Sequence, residues 1–235
     1  MPNLKILGLV LAALTAIAAL AVFEAGAPSA QTLTTTEFTT ESDVGTTVTS
    51  EVAAGTVHEF TVGTRSIVCK KFHFEGGLPG KTTEMTIGVP KYEECSTTPF
   101  LGVSLAVTMT PGDCHYVLTG EETVGLKYGI SIDVVCEGAE DMTFHVKNGS
   151  SDVCTVTMGP QAITGLWMTN VAGAPDHIVL HSDKKTIVKA TIHGALCGGT
   201  AETNKEFDAT YESTTRLTGS QGGKPAGLTV SHLVV

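Results

Sequence analysis

Two alternating segments decide the fold class of this chain. They read Asp113-Cys114-His115-Tyr116-Val117-Leu118-Thr119 and, after a polar loop, Tyr128-Gly129-Ile130-Ser131-Ile132-Asp133-Val134-Val135-Cys136. Apolar and polar residues alternate in both, as in strands with one buried face. Symmetric pairing about Gly125 predicts a β-hairpin in which Cys114 lies opposite Cys136. The same register pairs Tyr116 with Val134 and Leu118 with Ile132 on the predicted core face, and leaves His115, Val117, Ser131, Asp133 and the Glu121-Glu122 loop on the other.

The rest of the chain repeats this pattern. From Val57 onward, short alternating segments are separated by Gly, Pro and charged turns, and no helical period follows residue 30. Asn148-Gly149-Ser150 predicts a second hairpin. Asp183-Lys184-Lys185 predicts a third, between residues 177–182 and 186–193. About a dozen strands of this kind predict an all-β, antiparallel β-sandwich. We expect a single domain over residues 31–235, with a boundary near 110–112 if there are two lobes.

The first thirty residues have the order of a secretory signal. Lys5 precedes an unbroken apolar run from Ile6 to Phe23, and small residues follow as far as Ala30. We therefore expect a signal-peptide helix over residues 1–30, cleaved between 27 and 31, and a protein that is secreted or held at the cell surface. The run is about as long as the shortest spanning helices, so an uncleaved N-terminal anchor is the alternative.

The six cysteines all lie in the predicted mature chain. An even number in an exported protein favours three disulfides, although sequence alone cannot select the pairing. Hairpin register ranks Cys114–Cys136 first and Cys69–Cys95 second, and Cys154–Cys197 follows by elimination. Cys69 alternates with the polar Lys71, so its pair needs a bulge or a different partner. Buried free thiols are the remaining alternative.

Charge and composition restrict the partners. The chain has a formal net charge of -10, with its basic residues scattered. This argues against nucleic acid and against anionic membrane surfaces. We expect no nucleic-acid partner, and contact with a membrane only transiently, through the signal peptide. Other partners are not identified.

No motif assigns chemistry to the chain. A nucleophile elbow, a zinc helix, a phosphate loop and a dinucleotide fingerprint are all absent from the sequence, so we predict no catalytic, cofactor or metal residues. His177 and His181 would lie about 13 Å apart on a strand, too far to share an ion, and surface positions are expected for most histidines. Tyr116, Trp167 and Phe72 would suit either a ligand groove or, more commonly, the core.

The cysteine-bearing segments resemble a group of uncharacterised exported bacterial proteins. The resemblance covers roughly Cys69 to Cys197 and includes Tyr92-Glu-Glu-Cys95, Gly112-Asp-Cys114-His-Tyr116 and Cys154-Thr-Val-Thr-Met-Gly-Pro-Gln161. It implies export and a six-cysteine all-β framework. The group has no established activity or functional residues to transfer.

Three functions remain open. A non-catalytic exported protein that binds or packs outside the cytoplasm is the leading expectation. An extracellular hydrolase with catalytic residues on separate loops is the alternative. A fibre or surface-layer subunit is the third, and it predicts an unpaired edge strand.

Overall fold

Strands make up most of the chain in a computed structural model that describes residues 34–40, 45–63, 65–98, 103–174, 177–194 and 205–234. The predicted signal segment and Cys197 lie outside these residues. The strands within them are β1 (Thr34–Thr40), β2 (Thr46–Val52), β3 (His58–Val62), β4 (Arg65–His73), β5 (Glu75–Leu78), β6 (Glu84–Ile87), β7 (Lys91–Thr97), β8 (Ala106–Thr110), β9 (Cys114–Gly120), β10 (Tyr128–Cys136), β11 (Met142–Asn148), β12 (Ser151–Met158), β13 (Gln161–Asn170), β14 (His177–His193), β15 (Lys205–Gln221), β16 (Lys224–Ala226) and β17 (Leu228–Val234).

The main sheet closes on itself, so the predicted open sandwich is wrong. Its eight-stranded ring runs β15-β2-β5-β6-β9-β10-β13-β14 and is closed by the pairing of β14 with β15. The other strands of this sheet lie outside that ring. Six of them form a second path from β14 to β15 in the order β12-β11-β8-β7-β4-β3. Both paths connect β14 to β15, so these two long strands are shared by the ring and by the second path.

The predicted third hairpin is also wrong, and this error explains why a sandwich was predicted instead of a barrel. Residues 177–193 form one strand, with a register shift between Ser182 and Thr186. The polar Asp183-Lys184-Lys185 segment therefore forms an irregularity rather than a turn, and the Lys185 amide donates a hydrogen bond of 2.8 Å to Asp183 Oδ1. Because β14 continues, it spans about 55 Å and pairs with β15 along both halves.

The opening hairpin has the predicted register. Cys114 pairs with Cys136, and Tyr116 with Val134, in the antiparallel ladder of β9 and β10. The expected core side chains of this hairpin are buried, including Leu118, but Ser131, expected on the other face, is buried too, where the pairing of β10 with β13 shifts register. A disulfide joins Cys114 and Cys136, whose Cα atoms are 4.0 Å apart. The second predicted hairpin, β11 with β12, is present as well.

The second predicted disulfide is present, and an irregularity in both strands makes it compatible with the core. Cys69 and Cys95 are bonded and buried, yet Phe72, three residues along β4, is buried too. The two residues between them both face outward, which changes the alternation. On β7, Glu94 has a φ of 51°, and its carboxylate lies 2.5 Å from Lys71 Nζ. The third pair stays a prediction, because Cys197 lies outside the described residues.

The remaining elements complete one core. A single cluster of buried apolar side chains includes residues from both sides of the turn at 111–112, where β8 gives way to β9. Strands β1 and β17 form a separate two-stranded ribbon. This ribbon places Phe38 and Leu228 in the same core. The carbonyl and amide of Phe38 also exchange hydrogen bonds with Thr82, so the edge of β1 is partly paired.

Candidate functional site

Side chains fill the core enclosed by the barrel ring and the strands outside it. The large ones with almost no exposure come from many strands: Phe38, Phe144, Leu78, Met85, Ile87, Leu118, Ile130, Met142, Met168, Ile178, Leu217 and Leu228. Two interior cavities among the described residues measure about 30 and 20 Å³. Each has room for about one or two water molecules. The interior is therefore a packed core, and a small organic ligand would have to displace side chains to enter it.

A buried histidine stands at the centre of this core. His58 has no exposed surface, and its Nδ1 lies 2.7 Å from the Tyr211 hydroxyl. Its Nε2 lies 3.0 Å from Thr215 Oγ1. A neutral imidazole has one donor and one acceptor nitrogen, so one hydroxyl donates to His58 and the other accepts from it. The ring also packs on Phe72, with centroids 4.4 Å apart.

Burial sets the protonation state of this cluster. It lowers the pKa of His58 to about 3, because the interior disfavours the imidazolium ion. It raises the pKa of Tyr211 to about 12 and that of Tyr92 well above its usual value. All three side chains are therefore neutral at pH 7. The cluster has the groups of a histidine-activated hydroxyl, but a general base must reach a substrate, and His58 is enclosed on every side.

Sequence reasoning placed most histidines at the surface, and His58 is the exception. It alternates with the buried Phe60 along β3 and pairs with Cys69 on β4, which is also buried. The sequence feature that could have indicated its burial is that His58 shares a strand face with Phe60. The other described histidines are exposed or half-buried, including His177 and His181 on β14.

A surface crevice of about 600 Å³ opens between β2 and β4 and is lined by Thr49, Ser50, Glu51, Val52, Lys70, Lys71, Phe72, His73, Glu93 and Thr218. Several of its charged groups already have partners. Lys71 pairs with Glu94, and Arg216 Nη1 donates to Glu51 Oε1 at 3.3 Å. The His73 Nδ1–H donates to a backbone carbonyl at 3.0 Å. Exposed pairs of this kind contribute little free energy and do not select a ligand.

An exposed apolar patch lies at one end of the barrel. We name it the apolar end, and it comprises Val124, Leu126, Leu233 and Val234, which are 75%, 85%, 37% and 66% exposed. The first two are at the tip of the β9–β10 hairpin, and the other two end β17. The Thr123 amide donates to the Thr34 carbonyl, and Thr34 pairs with Val234 in the ribbon, so the two segments are neighbours. Single exposed apolar residues are ordinary, and a group of them on neighbouring segments is a candidate interaction surface.

Aromatic and cationic side chains lie behind the apolar end. Lys127 directly follows Leu126, and its Nζ lies 4.2 Å from the centre of the half-buried Trp167 ring. On β14, His181 stacks on the same indole with centroids 5.4 Å apart. Partial burial and the nearby Lys127 charge both lower the pKa of His181. Tyr128 meets His232 with ring centroids 4.9 Å apart, which joins β10 to β17.

The structure separates the three aromatic residues singled out from the sequence. Tyr116 and Phe72 are buried in the core, whereas Trp167 is half-buried on the outer face of β13. They do not form a common groove. The Glu121-Glu122 loop, which the sequence placed on the non-core side, leads directly to Val124. Alternation could not predict the apolar end itself, because Leu233 and Val234 come from a strand distant in sequence.

Among the described residues, these features define an all-β barrel with a filled interior, two disulfides and an exposed apolar end. Comparison with protein-family models, with curated proteins and with solved structures gave no match to this chain. The resemblance to exported six-cysteine proteins therefore stays a prediction. The two disulfides indicate an oxidising, extracytoplasmic compartment. Among the described residues, no helix has the length and apolar composition needed to cross a membrane.

Proposed function

We propose that this chain is an exported barrel protein, secreted or held at the cell surface, that acts by binding through its apolar end rather than by catalysis. The observation that carries the proposal is the exposure of Val124 and Leu126 on a hairpin tip, next to the ribbon that contains Val234. Large apolar side chains in water are unfavourable, and burying each against a partner is worth roughly 1.5–3 kcal/mol. The hairpin carrying them is cross-linked at its other end by Cys114–Cys136. The tip is thus presented by a pre-organised element, which reduces the ordering cost of association.

The hydrolase alternative finds its best support in His58, with hydroxyls of Tyr211 and Thr215 at both ring nitrogens. It requires an opening to that cluster, whereas the binding proposal uses residues already exposed. The surface-layer alternative requires an available strand edge. Along β17, Asn170 caps Val230 with two side-chain hydrogen bonds, which reduces the edge that the ribbon offers.

Site-specific photo-cross-linking in the exporting cell tests the proposal. Leu126 is replaced by benzoyl-phenylalanine, and the control carries the same group at Ile187, which is 43% exposed on the outer face of β14. We expect cross-linked adducts, to protein or to lipid, from position 126 and few from position 187. Equal yields at the two positions would show that the apolar end is no binding surface.

A further inference from the structure

We infer that the apolar end binds the surface of a lipid bilayer with zwitterionic headgroups. This inference rests on the proposed function and names the partner. The first argument is the arrangement of side chains by depth. Val124 and Leu126 are the most exposed large apolar side chains of the described residues, and Lys127 and Tyr128 follow them in the chain, with Lys127 over the Trp167 ring. Apolar tips fit the acyl boundary, while Trp, Tyr and Lys are the residues that favour the headgroup level.

Charge selects the class of lipid. Glu121 and Glu122 precede the tip, Lys127 follows it, and the whole chain has a formal net charge of -10. An anionic bilayer would repel such a protein, whereas a zwitterionic surface leaves only the apolar and interfacial contacts to decide binding. A zwitterionic partner is consistent with the argument that the net charge opposes binding to anionic membranes. It limits that argument to anionic lipids.

The sequence that precedes Thr34 gives a second argument, which applies to the uncleaved form of the chain. Thr34, where the described chain begins, belongs to the same end, because its carbonyl accepts from Thr123 and it pairs with Val234. In the sequence, only residues 24–33 separate Thr34 from the apolar run of Ile6 to Phe23. Ten residues reach at most about 35 Å when extended. In the uncleaved alternative, a run that enters a bilayer holds this end of the barrel within reach of the same membrane; after cleavage, the apolar end binds by its own side chains.

Trp167, the only tryptophan, is a built-in reporter for this contact. It pairs with Gly129, three residues beyond Leu126, and so lies about 10 Å along the strand from the tip. The full chain is mixed with phosphatidylcholine vesicles that carry bromine on their acyl chains, which quench nearby indoles. This readout is local to the apolar end, and comparing the wild type with variants of the tip isolates the tip's contribution from any attachment through residues 1–33.

We expect quenching of Trp167 in the wild type and a clear loss in the Val124→Ser/Leu126→Ser variant. Removing two apolar side chains from the contact lowers its occupancy roughly tenfold or more. The matched control, Ile187→Ser, keeps the wild-type signal, and replacing half of the lipid by phosphatidylglycerol weakens it. Circular dichroism checks that each variant is folded.

Three results would overturn the inference: an unquenched wild type, undiminished quenching in the double variant, or stronger binding to the anionic vesicles. If the wild type is not quenched but position 126 still cross-links to protein in cells, the occupant is a protein and the proposed function stands. If both experiments give nothing at the tip, the proposed function fails with the inference.

Discussion

Lowering the pH from 7 to 5 is expected to destabilise the barrel through His58, and His58→Gln should remove this effect. The imidazole is fully buried, and both of its nitrogens face hydroxyl groups rather than carboxylates. Burial lowers its pKa from 6.5 to about 3. The neighbouring Tyr211 and Tyr92 stay uncharged over this range, because burial raises their pKa values. His58 is therefore the group in this cluster whose protonation differs between the folded and unfolded states.

The sign and size of the effect follow from that difference. Below pH 6.5 the unfolded chain binds a proton at His58, and the folded chain does not until about pH 3. The stabilising contribution is thus complete above pH 6.5 and is lost as the pH falls toward 3. Each pH unit in this window costs about 1.4 kcal/mol, so the loss by pH 5 is about 2 kcal/mol.

Urea unfolding of wild type and His58→Gln at pH 7, 6 and 5, with the disulfides intact, measures this contribution. Titration of the carboxylates contributes equally to both proteins and cancels in the difference between their free energies of unfolding. Glutamine supplies one donor and one acceptor to the same hydroxyls. We expect the wild-type advantage to shrink by about 2 kcal/mol between pH 7 and pH 5. His232→Gln, at an exposed histidine, is the control for the loss of an imidazole. A wild-type advantage that is the same at all three pH values would refute the argument.

Three further predictions concern the framework. Gly120→Ala should destabilise the protein by several kcal/mol, because the added Cβ would overlap a backbone oxygen of β1. Gly77→Ala is the control and should have little effect, because the space around its Cβ is open. Urea unfolding of both variants measures the difference. Cys114→Ser/Cys136→Ser should lower the free energy of unfolding by about 3 kcal/mol, and an unchanged urea midpoint would contradict the role of this disulfide. Phe144→Ala should lower the free energy of unfolding by about 3–5 kcal/mol, because the Phe144 ring is enclosed. Calorimetry measures this, and an unchanged melting temperature would contradict tight packing at this site.

Several features of the molecule are local, and the sequence predicts them. Period-two alternation indicates which side chains of β9 are buried and most of those of β10, where a register shift buries Ser131 as well, and the turn at Gly125 sets the register of the pair. Register then brings Cys114 to Cys136. The irregularity beside Cys69 was foreseen only as a need for a bulge or another partner. The residue that changes the alternation on β7, Glu94, has a backbone conformation that its side chain does not favour, so no local pattern indicates it.

Closure and the candidate site were decided by the tertiary structure. Alternation shows that one face of a sheet is buried, but sandwiches and barrels both bury one face. The choice depended on β14 continuing through Asp183-Lys184-Lys185 and pairing with β15 along both halves, a contact between segments distant in the chain. The same kind of contact encloses His58 and brings the ribbon of β1 and β17 next to the β9–β10 tip. By itself the sequence predicted most of the strands, one hairpin register and the ranking of two cysteine pairs, because those depend on residues close in the chain. The barrel and its apolar end depend on which distant strands meet.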